Sequence, residues 1–257
     1  MAFTINPIKF GTDGWRGVIA ADFTFERVAM LAPIAARVLA DNYGDTAANR
    51  TIIVGYDRRF MAEDFAKLTA EAVREAGFDV LLSECYAPTP AFSWAAKAHN
   101  ALGAIVMTAS HNPAAYLGLK VKSAFGGSVP PEITEQIEAK IGQPLPKADK
   151  PGKLEKFDPW ASYCQGLQQK VDIAAIKSAI TSDKLKVYVD VMHGAAATGL
   201  ERLLGCPVNE INSDRDPLFE GGAPEPLPKY LPDFFEAIKA GAKQHPDSLL
   251  QASPQLL

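Results

Sequence analysis

Short runs of apolar, often β-branched residues alternate along this chain with longer segments whose apolar residues recur at helical spacing. The runs TIIVGYD, DVLLSE and ALGAIVMTAS predict buried strands. The segments TFERVAMLAPIAARVLADNYG, AEDFAKLTAEAVREAGF and TPAFSWAAKAHN predict helices. Strands that are joined through helices form a mostly parallel sheet with helices on its faces. We therefore predict an α/β fold made of two consecutive α/β/α domains with mixed, mostly parallel sheets.

Single residues mark where these predicted helices begin and end. Thr24 is a candidate N-cap of the first helix and Gly44 a candidate stop. Pro33 lies inside that helix, and we expect it to kink or split the helix because proline lacks the backbone N–H. Gly77 is expected to close the second helix as its C′ residue, and Pro90 to lie in the first turn of the third.

A stretch rich in proline, glycine and lysine, GQPLPKADKPGKLEKFD, interrupts the alternation. It predicts a first domain at 1–145, a linker at 146–157 and a second domain at 158–257. The second domain repeats the α/β pattern. Its predicted helices lie in PWASYCQGLQQKV, DIAAIKSAI, HGAAATGLERLLG and PDFFEAIKAGAKQ, and its predicted strands in LKVYVDVM and PVNEI.

Composition narrows the class of protein. The 257 residues are 47% hydrophobic and 22% charged, which is typical of a globular protein with a substantial core. A net charge of −4 argues against a broad basic face, so we expect no nucleic-acid partner. Three scattered cysteines without a CxxC pair favour a reducing compartment. Neither a signal-peptide pattern nor an apolar run of membrane-spanning length is present, so we predict a cytoplasmic protein without a membrane partner.

The stretch MTASHNPAAYLGLK follows the third predicted strand and carries the residues most suggestive of chemistry. Ligands bind at the carboxyl ends of strands in an open parallel sheet, and Ser110 lies just past such an end. One interpretation makes Ser110 a phosphoryl donor or acceptor, with His111 and Lys120 supplying a base and positive charge. The other is a plain surface turn, because serine, asparagine and proline all favour turns. The stretch alone leaves both interpretations open.

Three further motifs place charged residues at turns. FGTDGWRG forms a polar, glycine-containing loop in which Arg16 could bind phosphate, or it is a plain turn with a surface arginine. In GYDRR, Asp57 and Arg58 follow a strand, and a solvated surface pair is the simpler interpretation. In DVMHGAA, His193 and Gly194 also follow a strand, and a hydrogen-bonded histidine beside a packing glycine is the simpler interpretation.

Taken together, FGTDGWRG, VGYDRR, TASHNP…GLK, VDVMHGAA and FEGGAPEP occur in one order from residue 10 to about residue 245. This set strongly resembles the α-D-phosphohexomutase family, which includes phosphoglucomutases and phosphomannomutases. In that family a serine carries a phosphate and gives it to a hexose phosphate. The resulting bisphosphate turns round in the cleft, and the serine takes back the other phosphate. A magnesium ion bridges the phosphoserine and three aspartates of a later loop.

The resemblance implies roles for five residues. Ser110 would be the phosphoserine and a magnesium ligand, and His111 would flank the transferred group. Lys120 would carry a proton or stabilise charge at the reacting oxygens. Arg16 would contact the same phosphate, and Arg58 would bind substrate together with Arg16 and Lys120. The implied substrate is a hexose phosphate or hexose bisphosphate, and a phosphoglucomutase is the expected type.

The match departs from the family in two places. The family motif has asparagine before the glycine of YLGLK, where this chain has Leu117. The family also continues with a DGDxDR-type loop that supplies three magnesium ligands, whereas no aspartate lies beyond Asp247 here. The resemblance thus implies the N-terminal half of a phosphohexomutase, incomplete for catalysis alone and a poor magnesium binder. A separate C-terminal half or a full-length homologue is the implied partner. The alternative is a non-catalytic homologue that binds a sugar phosphate or a partner protein.

Overall fold

The computed structural model of the protein describes residues 6–244, which fall into two compact units. The first unit comprises the chain up to Ala109 together with Ala115–Tyr163. The second comprises Ser110–Ala114 together with the chain from Cys164 onward. No helix within residues 6–244 is both long enough and apolar enough to cross a membrane.

One six-stranded sheet organises the first unit. The strand order is β1-β5-β4-β2-β3-β6, in which β4, β2, β3 and β6 are parallel and β5 is antiparallel to both of its neighbours. The elements are β1 (Gly14–Val18), α1 (Phe25–Tyr43), β2 (Thr51–Tyr56), α2 (Ala62–Glu75), β3 (Asp79–Ser83), α3 (Thr89–Ala98), β4 (Gly103–Met107), β5 (Tyr116–Ser123), α4 (Pro131–Ala139) and β6 (Leu154–Phe157). The predicted mixed, mostly parallel α/β sheet is thereby confirmed.

Three strands of this sheet differ from the elements that the sequence predicts. Strands β1 and β5 lie in the FGTDGWRG and YLGLK motifs, where glycines and charged residues hide the strand pattern. Strand β6 falls in the last four residues of the segment predicted as a linker, 146–157. Its backbone pairs with β3, from Val80↔Leu154 to Ser83↔Phe157. This pairing depends on a neighbouring strand that is distant in sequence, so local residue preferences do not reveal it.

The first helix shows how packing overrides a local signal. The Thr24 side chain accepts a hydrogen bond from the Arg27 N–H at 3.3 Å, which confirms the predicted N-cap. The helix continues through Pro33 as one element, so Pro33 does not split it. Eight buried apolar residues on both sides of Pro33 bind the helix to the core, and this burial offsets the missing hydrogen bond.

The second unit is smaller and much less buried. Its sheet consists of two parallel strands, β7 (Tyr188–Asp190) and β8 (Asn209–Ile211). Within the part of this unit that the structure describes, the buried apolar side chains are those of Val191, Met192, Ala197, Leu204 and Phe219. The α-helices in its described residues are α5 (Pro159–Gln168), which begins before the unit boundary, α6 (Ile173–Thr181), α7 (Gly199–Leu204) and α8 (Pro232–Gln244).

Candidate active site

Ser110 leaves the sheet on a strained turn. It follows the fully buried strand β4 by three residues and is itself exposed. Its backbone φ is +56°, in the left-handed region that non-glycine residues seldom adopt. Such strain costs on the order of 1–3 kcal/mol and is concentrated at functional sites. The exposed Ser110 therefore stands in a strained turn that follows β4 in sequence.

The His111 ring lies next to the Ser110 hydroxyl. The Ser110 Oγ atom lies 3.4 Å from His111 Nδ1. This distance is long for a hydrogen bond, but catalytic pairs are often loose until substrate binds. With the proton on Nε2, the Nδ1 lone pair could accept the serine proton. The structure thus brings together the two residues that the sequence placed in one motif.

Arg16 and Lys120 lie on one face of the β1–β5 pair. The register pairs Gly14 with Lys120 and Arg16 with Gly118, so the two cations stand diagonally across the ribbon. A Cβ atom on Gly118 would be 3.0 Å from Arg16 Cγ, and one on Gly14 would be 2.9 Å from Lys120 Cγ. The glycines therefore leave room for each cationic stem to lie across the opposite strand.

Asp13 holds two lysines with one carboxylate. Lys122 Nζ donates to Asp13 Oδ2 at 2.6 Å, and Lys120 Nζ lies 3.4 Å from Asp13 Oδ1. The Ser128 hydroxyl donates to Asp13 Oδ2 at 2.9 Å and accepts a bond from Lys122 Nζ at 3.0 Å. Asp13 and Lys122 are both buried, whereas Lys120 is partly exposed.

Burial and neighbouring charges set the proton affinities of this cluster. Burial alone would raise the pKa of Asp13, but the hydrogen bond from Lys122 and the charges of Lys120 and Lys122 hold the pKa below its usual value. Burial lowers the pKa of Lys120, against the attraction of Asp13, and the positive charges of Lys122 and Arg16 lower it further. A lysine with a lowered pKa can release and recover a proton nearer neutral pH.

A buried arginine follows strand β2 at the same edge of the sheet. The side chain of Arg59 is 2% exposed, and its Nη1 donates to the Tyr116 carbonyl at 3.1 Å. Asp57 accepts from the Arg59 backbone N–H at 2.9 Å, and its other oxygen lies 3.5 Å from Arg59 Nε. Burial lowers the pKa of Arg59, and the charge of Arg16 contributes in the same direction. Positive charge is therefore concentrated around β1, β5 and the end of β2.

Arg58, which the sequence selected, has a different environment. It is buried, and its guanidinium lies over the Tyr86 ring at 4.8 Å from the centroid. The interpretation of Asp57 and Arg58 as a solvated surface pair is therefore wrong, because the arginine packs against an aromatic ring. Substrate binding by Arg58 stays a prediction.

The structure thus brings Arg16 and Lys120 together in the first unit, whereas Ser110 and His111 belong to the second. The meeting of these two pairs stays a prediction. Sequence reasoning missed four residues around the cationic pair: Asp13, Arg59, Lys122 and Ser128. Asp13 stands inside the quoted FGTDGWRG motif, and Lys122 follows Lys120 at strand spacing, so both had a usable signal. Ser128 had none, because only the folded hairpin brings it near.

The second unit holds the histidine that the sequence singled out. His193 Nδ1 lies 3.0 Å from the Asp214 carbonyl oxygen, and its Nε2 lies 3.6 Å from Glu220 Oε1. The neighbouring Asp190 accepts from the Met192 N–H at 2.9 Å, yet burial raises its pKa. The contact with a backbone carbonyl fits the interpretation of His193 as a hydrogen-bonded histidine.

The residues described do not form a magnesium site. Within 6–244, no three His, Cys, Asp or Glu side chains stand together in a way that could hold a metal ion. Magnesium requires near-octahedral coordination by oxygen atoms, and the Ser110 hydroxyl would supply one. The described residues therefore do not fit the metal, and Ser110 as a metal ligand stays a prediction.

A unit with a mixed, mostly parallel sheet and two cations on one strand pair, followed by a second α/β unit, places the chain in the α/β class of folds, which bind ligands at the carboxyl ends of strands. Two family models match the chain. The phosphoglucomutase/phosphomannomutase α/β/α domain I model matches residues 7–146, and the domain II model matches residues 161–251. The chain belongs to the phosphoglucomutase/phosphomannomutase family, as its motifs predicted.

Curated relatives and solved structures agree with this assignment. A phosphoglucomutase/phosphomannomutase of Thermococcus kodakarensis is 32% identical, with 90% of this chain and 50% of the relative covered. A phosphoglucosamine/phosphogalactosamine mutase of Sulfurisphaera tokodaii is also 32% identical, with the same coverage. A Thermus thermophilus structure described provisionally as a phosphomannomutase has a TM-score of 0.78 at 35% identity, covering 91% of this chain and 52% of that one. The chain spans about half the length of the relatives it matches.

Proposed function

We propose that this chain is the N-terminal half of a phosphohexomutase and that Ser110 carries the transferred phosphate. The observation that carries the proposal is the joint placement of Arg16 and Lys120 on strands β1 and β5. Strand β5 pairs with β4, from which the Ser110 turn emerges. A phosphoserine needs positive charge around its oxygens, and we propose that Arg16 and Lys120 supply it.

The proposed reaction exchanges two phosphate esters. The bond between phosphorus and Ser110 Oγ breaks while phosphorus bonds to a hydroxyl oxygen of the hexose phosphate. The proton of that hydroxyl passes to a basic group, the leaving Ser110 Oγ takes up a proton, and a hexose bisphosphate forms. In the return step Ser110 Oγ gives up that proton and bonds to the phosphorus of the other phosphoryl group. The bond from that phosphorus to the hexose oxygen breaks and the oxygen is protonated, so hexose 1-phosphate and hexose 6-phosphate interconvert.

We propose a role for each of four residues. Lys120 has a lowered pKa, so it suits proton exchange with the sugar hydroxyl. Arg16 presents a planar guanidinium that matches two phosphate oxygens at once. His111 stands 3.4 Å from Ser110 Oγ and can hold the serine proton whenever the phosphate is away. Arg58, which lies in the turn that follows β2, is proposed to bind the substrate.

We assign glucose phosphates as the substrate and expect the chain alone to be incomplete. Relatives in this family are named for glucose, mannose and glucosamine phosphates, so the glucose assignment is the part most open to test. The matched relatives are about twice as long as this chain, and the described residues hold no metal site. The groups that complete the site are proposed to correspond to the part of the relatives that this chain does not match.

A complementation assay tests the proposal. The purified chain should not interconvert glucose 1-phosphate and glucose 6-phosphate by itself, whatever the magnesium concentration. Mixing it with the half of the Thermococcus kodakarensis relative that the match leaves uncovered should produce turnover. The Ser110→Ala chain should give none in the same mixture, whereas a chain with Ser178→Ala, an exposed serine of α6, should give turnover.

Two results would contradict the proposal. Robust turnover by the pure chain would show that it is not half an enzyme. Equal turnover by the Ser110→Ala mixture would show that Ser110 carries no phosphate. Running the mixture with mannose and glucosamine phosphates identifies the hexose, because the correct substrate should give the highest kcat/KM.

A further inference from the structure

A hydrogen-bond relay leads from a hairpin turn to the proposed proton carrier. Asp13 Oδ2 accepts from both Lys122 and Ser128, at 2.6 Å and 2.9 Å. Two donors on one oxygen fix the plane of the carboxylate, so the other oxygen is held facing Lys120. The Asp13 carbonyl oxygen also accepts from the Val121 N–H at 2.8 Å, which fixes its backbone against β5.

The hairpin after β5 supplies the rigid end of this relay. Ser123 donates to the Gly127 carbonyl through both its N–H and its hydroxyl, each at 3.0 Å. Gly126 turns the chain with φ +87°, and a Cβ atom there would stand 2.5 Å from the Ser93 carbonyl oxygen. The turn therefore demands glycine, and it places Ser128 opposite Lys122 in an isolated bridge.

The cluster around Lys120 carries more positive than negative charge. The charged groups that act on Lys120 are the cations of Lys122 and Arg16 and the single carboxylate of Asp13. Lys122 is buried, and its ammonium donates hydrogen bonds to the Asp13 carboxylate and the Ser128 hydroxyl. Lys120 is the more exposed lysine and makes the longer contact, at 3.4 Å, so it is the one that can move towards a ligand.

We propose that Asp13 is a positioning residue: Lys122 and Ser128 lock its carboxylate, and the locked carboxylate holds the Lys120 ammonium on the cationic face of the β1–β5 pair. The importance of this arrangement for catalysis rests on the proposed function, in which Lys120 exchanges a proton with the sugar hydroxyl. The relay itself is a property of the folded chain. It can therefore be measured without substrate or partner.

The test is the pH dependence of Lys120 acetylation by acetic anhydride, read by peptide mass spectrometry on the full chain. Removing the carboxylate with Asp13→Asn should lower the midpoint of Lys120 labelling by about one pH unit, because an attractive charge is lost. Removing the neighbouring cation with Lys122→Met should raise the midpoint. A loosened structure would instead release Lys120 to solvent and raise the midpoint in both variants.

A second variant guards against misfolding, because Asp13→Asn leaves the buried Lys122 ammonium without its carboxylate. The double variant Asp13→Asn/Lys122→Met lacks that charge, and its Lys120 midpoint should fall below that of Lys122→Met alone. Glu63→Gln is the control, since it removes the carboxylate of the exposed Lys67 pair and should leave the Lys120 midpoint unchanged. An unchanged or raised midpoint on loss of Asp13, in both backgrounds, would overturn the relay. That result would not touch the Ser110 proposal, which the complementation assay tests separately.

Discussion

Gly118 lies directly opposite Arg16 in the antiparallel β1–β5 pair, at a position where a side chain has no room. A Cβ atom at Gly118 would stand 2.7 Å from the carbonyl oxygens of both Thr108 and Trp15 and 3.0 Å from Arg16 Cγ. Because Gly118 has no side chain, the backbones of β1, β5 and Thr108 can approach closely there. The same absence leaves room for the Arg16 side chain. This relationship links the sheet register to the cationic face.

Gly118→Ala tests that link. The added methyl group should push β5 away from β1 or displace Arg16, at a cost of about 1–3 kcal/mol in the free energy of unfolding. Urea denaturation of both proteins measures the loss. Gly11→Ala is the matched control in the neighbouring motif, since its Cβ atom would make an ordinary 3.6 Å contact. A Gly118→Ala protein as stable as Gly11→Ala would contradict the close packing.

Asp13 should make the stability of the first unit depend on acid pH. The pKa of Asp13 is lowered in the folded state, so its stabilisation is complete above the unfolded value of about 4 and is lost as the pH falls through the lower folded value. At neutral pH, Asp13→Asn should cost about 3 kcal/mol, because it breaks a buried pair. Urea denaturation from neutral to acid pH should show the difference from the parent shrinking below about pH 4.

The control for this experiment is Asp41→Asn. Asp41 forms an exposed pair with Lys140 at 3.5 Å, so its loss should cost less than about 1 kcal/mol at every pH. If the difference between the parent and Asp13→Asn kept its neutral value under acid conditions, the Asp13 carboxylate would not be the cause.

Arg59 should contribute strongly to the stability of the first unit. Arg59→Leu removes the buried guanidinium that contacts the Asp57 carboxylate and the Tyr116 carbonyl. We expect a loss of about 3–5 kcal/mol in the free energy of unfolding, the usual cost of breaking a buried pair from one side. Arg50→Leu provides the comparison, because that exposed arginine lies over Phe78 and should cost about 1 kcal/mol or less. Similar losses in the two variants would contradict the importance of the buried pair.

The two units should differ in local stability. Strands β2 and β4 of the first unit are almost fully buried, whereas β7 and β8 form a two-stranded sheet with few buried side chains around it. Isolated two-stranded sheets are marginal, so their amides should open readily. Hydrogen exchange of the chain alone should show Val54 and Ile105 amides exchanging far more slowly than Val189. Equal protection in the two units would contradict this account.

The sequence predicted the elements that depend on local residue patterns and missed those that depend on distant partners. Helices α1, α2 and α3 and strands β2, β3 and β4 were predicted, because helical spacing and apolar runs are local patterns. Strands β1, β5 and β6 were not, since glycine and charge mask their pattern and their partners lie far along the chain. Pro33 was predicted to kink or split its helix, but the buried face around it keeps one helix.

The site divides in a similar way. Arg16, Ser110, His111 and Lys120 were selected because each stands in a motif with an evident chemical use. Asp13, Lys122 and Arg59 acquire their significance from burial and from register, which the sequence does not show. Arg58 was judged by its charged neighbour and turned out to pack against Tyr86. The sequence therefore identified residues that could react, such as Lys120. The structure identified residues that contact or position them, such as Asp13.

The central claim is that Ser110 is the phosphate carrier, and phosphopeptide mapping tests it most directly. The chain is mixed with the half of the Thermococcus kodakarensis relative used in the complementation assay, incubated with radiolabelled glucose 1,6-bisphosphate and magnesium, and digested. The digest is analysed by mass spectrometry beside the same mixtures made with the Ser110→Ala and Ser178→Ala chains. The account predicts one phosphoryl group on the peptide that contains Ser110, present in Ser178→Ala and lost in Ser110→Ala. Label on another residue, or no label on Ser110 either as purified or after incubation, would contradict it.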